Sequence, residues 1–582
     1  MEQVRHQVMG DAGKLRKFTT GKAFLGRDIP AGGLRQDMLR DDVELELKDI
    51  LCAPGSQHDQ CESQISSYFI AEAIRTTFPE ETKRLFAKMQ KSNSGGSRKF
   101  NMPKMPKIDI PPLEKTQRVV LGPIPSEEGS ISGNIKVLDN IFLRQLGFSS
   151  EEEFSQRLFL IFGDQLTVQR IRSIIFMRSE AARDFNRHTW VLPVLALFHL
   201  RMNLIWLIYK HYFGDQKGNT NQNSTIHAHA ELLNRKVIPP GQPPFNYTEE
   251  LSIHSFYGRI IALLLIRLKT RLRTVGMTEI KSRAAELIGN LSPQEFLDLI
   301  EGIRQMAFSR EARDRANENS DDLDEDSGTE DEEFTNHVRF LQQMETYCTL
   351  KYAIKHGDLG LIKRIIPRCC FYFHGSKSFN YAREMLEMQR LLCTKACSPE
   401  LQRAILINSL INTRGKEDSF KEVDLDIEHH NGNLKEFLNS RRNGTVGVDA
   451  LFKYAILCSD HATNLKEAIE GAWGEKTSGN HTKKDPGRDI FSLAWTLHES
   501  SLVRTGGRTC SPRSPNMMGD GLTALLGGAV DRFNAQLARR GQSPAENEGQ
   551  SPVENEGQSP AENGDGGVEE DVRNIPLLSL EV

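Results

Sequence analysis

Asp164 is the first residue that could do chemistry, because it follows the apolar run Leu158 to Phe162 after a single glycine and precedes the basic stretch QLTVQRIR. An aspartate just past the carboxyl end of a buried strand is a common position for a working carboxylate in α/β folds. It is equally the position of a helix N-cap, to which the amides of Thr167 and Val168 would donate. The stretch VDLDIEHHNGNLKEFL (423 to 438) offers a second set. As a helix it buries Ile427, Leu434 and Leu438, and it places Asp424, Glu428, Asn431 and Lys435 within about 60° of one another on the edge of that stripe. Such a polar row suits a cleft wall, or else a solvated edge on which Glu428 pairs with Lys435. In FNYAREMLEMQRLL (379 to 392), Tyr381, Met385, Met388 and Leu392 share a helical face and Glu384 stands about 60° from Tyr381, where a hydrogen bond would also account for it. His199 closes another apolar run and is either a working histidine or a satisfied core residue.

Other sets carry less. His429 and His430, adjacent on a helix, point about 100° apart and do not readily share one ion. His227, His229 and His254 stand in polar loop sequence without ligand spacing. The nine cysteines form no CxxC pair, and the P-loop, GxGxxG, GxSxG and HExxH patterns are missing from the sequence.

The elements that must position these side chains can be read from periodicity. Residues 158 to 162 predict a buried strand and 166 to 178 a helix. Residues 190 to 198 predict a second strand, despite Pro193, with His199 ending it, and 200 to 213 predict a strongly apolar helix. Two successive strand-then-helix units predict part of a parallel sheet. Beyond Phe256 the pattern is helical over 256 to 273, 278 to 289, 293 to 308, 335 to 356, 358 to 366, 379 to 392, 399 to 410, 426 to 440 and 448 to 470. The expected fold class is an α/β core with extensive helical additions, mainly α by residue count.

Composition divides the chain further. Residues 1–92 form an N-terminal part and 93–112 a basic, Pro-rich linker. Residues 113–313 hold both strand-helix units, 314–336 an acidic disordered loop, 337–505 a helical second half, and 506–582 a disordered low-complexity tail containing GQSPAENE, GQSPVENE and GQSPAENG. The net charge of −4 hides an asymmetry: Ser320 to Glu333 and Gly541 to Val582 each carry −9, leaving the remaining 526 residues at +14. That excess favours polyanions, with Arg267, Lys269, Arg271 and Arg273 as nucleic-acid contacts, or it is a solvated helical face. Scattered, odd-numbered cysteines argue for a reducing compartment. The most apolar stretch, Trp190 to Phe198, falls short of the roughly 18 residues a membrane span needs. The expectation is an intracellular protein without a membrane partner.

The segments GDQLTVQRIR (163 to 172), LFHLRMN (197 to 203), NYAREML (380 to 386) and DLDIEHHNGNLK (424 to 435) resemble a family abundant in fungal genomes, where it often accompanies mobile elements. The resemblance runs from about Lys17 to Val503. It implies kinship with transposases of RNase H-like fold, and hence a carboxylate trio that binds Mg²⁺ or Mn²⁺ for phosphodiester cleavage or strand transfer. The matching positions are Asp164 and Glu428, with Asp424 as a substitute, while His199 would position a phosphate or water. The family also carries an Asp-Asn motif upstream of the part corresponding to Lys17, which this sequence lacks, as a truncated or decayed copy would. DNA or RNA is the expected partner and the nucleus the expected location. The alternatives are a non-catalytic nucleic-acid-binding protein and an interaction scaffold whose carboxylates only cap and pair.

Overall fold

A computed structural model describes residues 2–4, 18–51, 56–95, 99–126, 128–214, 224–241, 243–269, 276–317, 331–440, 456–473, 485–500 and 516–540. The acidic run 318–330 and the repeats beyond 540 lie outside the described residues. The described part is mostly helical with small sheets, as the pattern predicts. β1 (Glu2–Val4) pairs antiparallel with β2 (Phe18–Thr20), and β3 (Lys22–Phe24) with β4 (Arg118–Val120). β5 (Phe159–Gly163) and β6 (Val191–Leu195) run parallel, in register from Phe159 opposite Val191 to Gly163 opposite Leu195. β7 (Leu410–Asn412) and β8 (Phe420–Glu422) form a last antiparallel pair. Around them pack α1 (Ser56–Thr77), α2 (Gln165–Met177), α3 (Leu197–Tyr212), α4 (Phe245–Arg267), α5 (Pro293–Ala307), α6 (Arg310–Asn317) and α7 (Glu332–His356). They are followed by α8 (Leu359–Gly375), α9 (Phe379–Cys393), α10 (Val423–Ser440), α11 (Pro486–Glu499), α12 (Met517–Ala524) and α13 (Val530–Arg540).

The parallel pair is the positioning frame. Its two sides meet different cores: Ile161 and Val191 pack with Phe142, Phe154, Phe185 and Trp190, while Leu158, Leu192 and Val194 join the larger core. The first is an aromatic nest in which Trp190 lies 4.5 Å from Phe142 and 4.9 Å from Phe154, ring centre to ring centre. Both strands are sheet edges, so Pro193 opposite Ile161 costs little hydrogen bonding. The larger core explains why α4 has no polar stripe, since Ile260 through Leu265 are all fully buried.

A buried ion cluster ties four helices into this core. Glu62 of α1 meets Arg313 of α6 at 3.1 Å and also Arg368 of α8, and Glu345 of α7 meets Arg313 at 2.5 Å. Burial works to raise the Glu62 carboxyl, but Arg368 and Arg313 override it and hold it below the ordinary range. Burial dominates at Glu345 and pushes it upward.

Two expectations shift. β6 stops at Leu195 and α3 starts at Leu197, so His199 lies in the first turn of a helix and does not end a strand. The low-complexity tail was expected from residue 506, yet Met517–Ala524 and Val530–Arg540 are helices whose Met517, Phe533 and Leu537 are buried. The composition there is glycine-rich because α12 approaches α8 backbone to backbone: a Cβ on Gly521 would stand 2.1 Å from the Phe371 carbonyl oxygen.

Candidate functional site

The site is built where α3 and α10 begin. The N-cap of α3 is Ala196, whose side chain caps nothing, so the first amides of this buried helix need an acceptor from elsewhere. Asp424, in the first turn of α10, supplies it. The Phe198 amide donates to its Oδ1 at 3.1 Å and the His199 amide to its Oδ2 at 3.1 Å. His199 Nδ1 lies 3.0 Å from the same Oδ2. Because a carboxylate only accepts, Nδ1 carries the proton and Nε2 is left to face Glu428, whose Oε1 is 3.7 Å away.

The docking of α10 that makes this possible rests on neighbouring ion pairs. Arg201 Nε donates to Glu422 at 2.6 Å, and Arg201 Nη1 donates to Glu249 of α4 at 2.7 Å. Lys351 of α7 reaches the other oxygen of Glu249 at 2.9 Å. Asp426 is buried among Lys22, Arg118 and Lys421, with both lysines at 2.8 Å. Burial would raise its carboxyl, but Lys421, Lys22 and Arg118 hold it far below the usual range. Thr20 Oγ1 donates to Asn431 Oδ1 at 2.7 Å, so the N-terminal strands help to fix α10. Burial first, and then the nearby Lys421 and Lys22, lower His429 to about 4, with Asp426 opposing.

Glu249 gives a pH test. Burial alone would raise it, yet Lys351 and Arg201 bring it from 4.5 down to about 2. A folded-state value below the unfolded one contributes stability in full above about pH 4.5, and that stability is lost as pH falls toward 2. Glu249→Gln is therefore expected to be less stable than wild type at neutral pH and to show a flatter loss of stability across that acid window. Thermal melts at neutral pH and at about pH 3 compare the two.

Asp164 caps α2, accepting from the Thr167 amide at 2.7 Å, as the capping alternative anticipates. It stands directly after β5, whose last residue Gly163 faces Leu195. Burial, and then Asp164, Asp424 and Glu384, push the Tyr381 hydroxyl far above its ordinary value. That hydroxyl accepts from Asn203 Nδ2 at 2.7 Å and keeps its own proton for donation. Glu384 does not bond Tyr381; it pairs with Arg172 of α2 at 2.5 Å.

His199 thus joins Asp424 and Glu428 through its two nitrogens, and Asp164 stands at the same end of the strand pair, directly after Gly163, which faces Leu195. The carboxylate trio is not assembled as expected. Among the described residues no three His, Cys, Asp or Glu side chains converge as a metal-binding group. The reason is that Asp164 and Asp424 spend oxygens on helix amides. His199 Nε2 and Glu428 Oε1 face each other at 3.7 Å. The Lys435 side chain, offered as a partner for Glu428, lies outside the described residues, as do Arg271 and Arg273. Arg267 and Lys269 are exposed. His229 and His254 are buried on helices, where His229 Nδ1 meets Ser255 Oγ at 2.9 Å and His254 Nδ1 meets Asp489 at 3.6 Å. Sequence reasoning missed Asn203, Thr20 and Lys22, because their partners lie 178 to 411 residues away.

No helix among the described residues is long and apolar enough to cross a membrane. Residues 64–481 match the model of a family of unknown function (DUF6589). No curated protein and no solved structure matches the chain.

Proposed function

The chain belongs to that family, and we propose that it processes phosphodiesters as a nuclease- or transposase-type homologue derived from a mobile element, working on DNA or RNA in the nucleus. The observation that carries this reading is the His199 ring held between Asp424 and Glu428 beside the carboxyl end of a parallel strand pair, where Asp164 directly follows β5. In α/β sheets that edge is where substrates bind. The segments that resemble a mobile-element-associated family and the +14 remainder support the substrate class.

In this reading Asp424 is a positioning residue that sets the tautomer and tilt of His199. His199 Nε2 takes a proton from the attacking oxygen or returns one to the leaving oxygen. Tyr381 donates its hydroxyl proton to a phosphoryl oxygen, and Asn203 fixes its direction. Mg²⁺ or Mn²⁺, held by Glu428, would supply electrostatic stabilisation of the charged phosphoryl group when bound.

The test is a cleavage assay on the full chain with labelled DNA and RNA, single-stranded and duplex, in Mg²⁺ or Mn²⁺. Wild type is expected to cleave at least one of these. His199→Ala should lose about 10²- to 10⁴-fold in rate, and Glu428→Gln should also be impaired. Cleavage that ignores His199→Ala overturns the site. A second reading, nucleic-acid binding without catalysis, is favoured by the occupied oxygens of Asp164 and Asp424. It predicts salt-sensitive binding that survives His199→Ala, with no cleavage by wild type.

A further inference from the structure

The outer face of α9 carries an aromatic ring and a cation that nothing in the site explains. Phe379 is 69 % exposed. Arg383 stands one turn on, at i+4, so the two share a face. Arg383 is half-buried, and its Nε is enclosed without a hydrogen-bond partner. The carboxylates near it are engaged elsewhere: Glu384 by Arg172 at 2.5 Å, and Glu387 by Arg390 at 3.1 Å. Among the described residues Arg383 has no ion pair, and the like-charged Arg172 repels it. Burial first, and then Arg172, lower the Arg383 guanidinium below its ordinary range, with Glu384 and Glu387 opposing. Arg172 holds Glu384, and Arg390 holds Glu387 and reaches Asp41 at 4.0 Å, so Arg383 is the arginine of this group without an ion pair; the N-terminal turn beside it has no side-chain cap.

An aromatic face open to solvent and a guanidinium lacking an anion, one helical turn apart, match the two parts of an unpaired nucleotide. A base stacks on any aromatic ring, and a phosphate takes the fork of an arginine. We propose that the Phe379–Arg383 face of α9 binds a single-stranded nucleic-acid segment, with a base on Phe379 and the adjoining phosphate on Arg383. This deepens the phosphodiester reading and rests on it for the strand's destination. Tyr381 projects from α9 roughly opposite this face, toward Asn203 and His199. A strand reaching His199 would therefore cross the first turn of α9, about 10 Å of path. The face holds the flanking nucleotides and leaves the scissile phosphate to His199.

The experiment measures binding of a fluorescein-labelled oligothymidylate to the full chain by anisotropy, without divalent ions, over a series of salt concentrations. Arg383→Ala is expected to reduce the slope of log affinity against log salt by about 0.7, the value for one phosphate contact on a single strand. Arg383→Lys should keep most of that slope. Phe379→Ala should weaken binding about tenfold with the slope unchanged. If Phe379→Ala and Arg383→Ala both bind like wild type, or if wild type fails to bind at low salt, the proposal is overturned. Cleavage that occurs without dependence on Phe379 or Arg383 sinks this face and spares the catalytic reading. Face-dependent binding without cleavage does the reverse.

Discussion

Asp424→Ala is expected to destabilise the fold by about 4 kcal/mol, because three donors lose their acceptor at once. The amides of Phe198 and His199 are the start of a buried helix with no cap of its own, and His199 Nδ1 shares the same oxygen. A lost cap costs about 1 to 2 kcal/mol, and each further buried donor left without a partner about 1 to 3 kcal/mol. Chemical denaturation of the variant and of Asp424→Asn separates the contributions. Asparagine keeps one acceptor oxygen for a helix amide, so it should recover roughly half of the loss. Its NH₂ group cannot accept from Nδ1, so the imidazole loses its fixed tautomer. Asp424→Asn should therefore remain folded and yet lose phosphodiester cleavage nearly as fully as His199→Ala. A variant with wild-type stability would show that α3 finds another acceptor and that the carboxylate is incidental.

The second large effect is expected at Gly521. A Cβ there would stand 2.1 Å from the Phe371 carbonyl oxygen, and one on Gly375 would stand 2.1 Å from the Met517 carbonyl oxygen. Each glycine thus faces the other helix's backbone, which cannot rotate aside as a side chain can. Gly521→Ala is expected to cost about 3 kcal/mol and to loosen α12 and α13 from α8. Limited trypsin digestion should then release the segment after residue 500 faster than in wild type. Gly527→Ala is the matched control, since nothing lies within 4 Å of its added Cβ. Equal digestion of the two variants would mean that α12 is not docked through these glycines.

What the sequence made legible follows from how far each signal reaches. The pair of strand-helix units could be read because strand and helix periods are written within a dozen residues, and β5, α2, β6 and α3 follow those periods closely. The row Asp424, Glu428 and Asn431 could be read for the same reason, since helical angle alone places the three together. The partner of that row could not. Nothing near Ala196 says that its helix borrows a cap from a residue more than two hundred positions later, so Asp424 passes for a metal ligand when its oxygens are already taken. The boundary of β6 was missed because apolar residues run unbroken from strand into helix, and only the parallel register with β5 ends the strand at Leu195. The glycine-rich start of α12 looks like low complexity until the Phe371 backbone is placed against it. Arg172 and Arg383 were each visible as basic residues, but the pairing that leaves one of them without an anion depends on where Glu384 and Glu387 turn.

The hydrogen bond from Thr20 to Asn431 joins residues 411 positions apart, and the links from Lys22 to Asp426 span 404. During synthesis, at about 5 to 20 residues per second, the opening strands emerge many seconds before the helix they will hold. Through that interval the parallel pair and its helices can form, but the imidazole has neither of its flanking acids. The surroundings of His199 are therefore completed only once residue 428 has been made, and the opening strands wait through that interval for the helix that closes their long-range bonds.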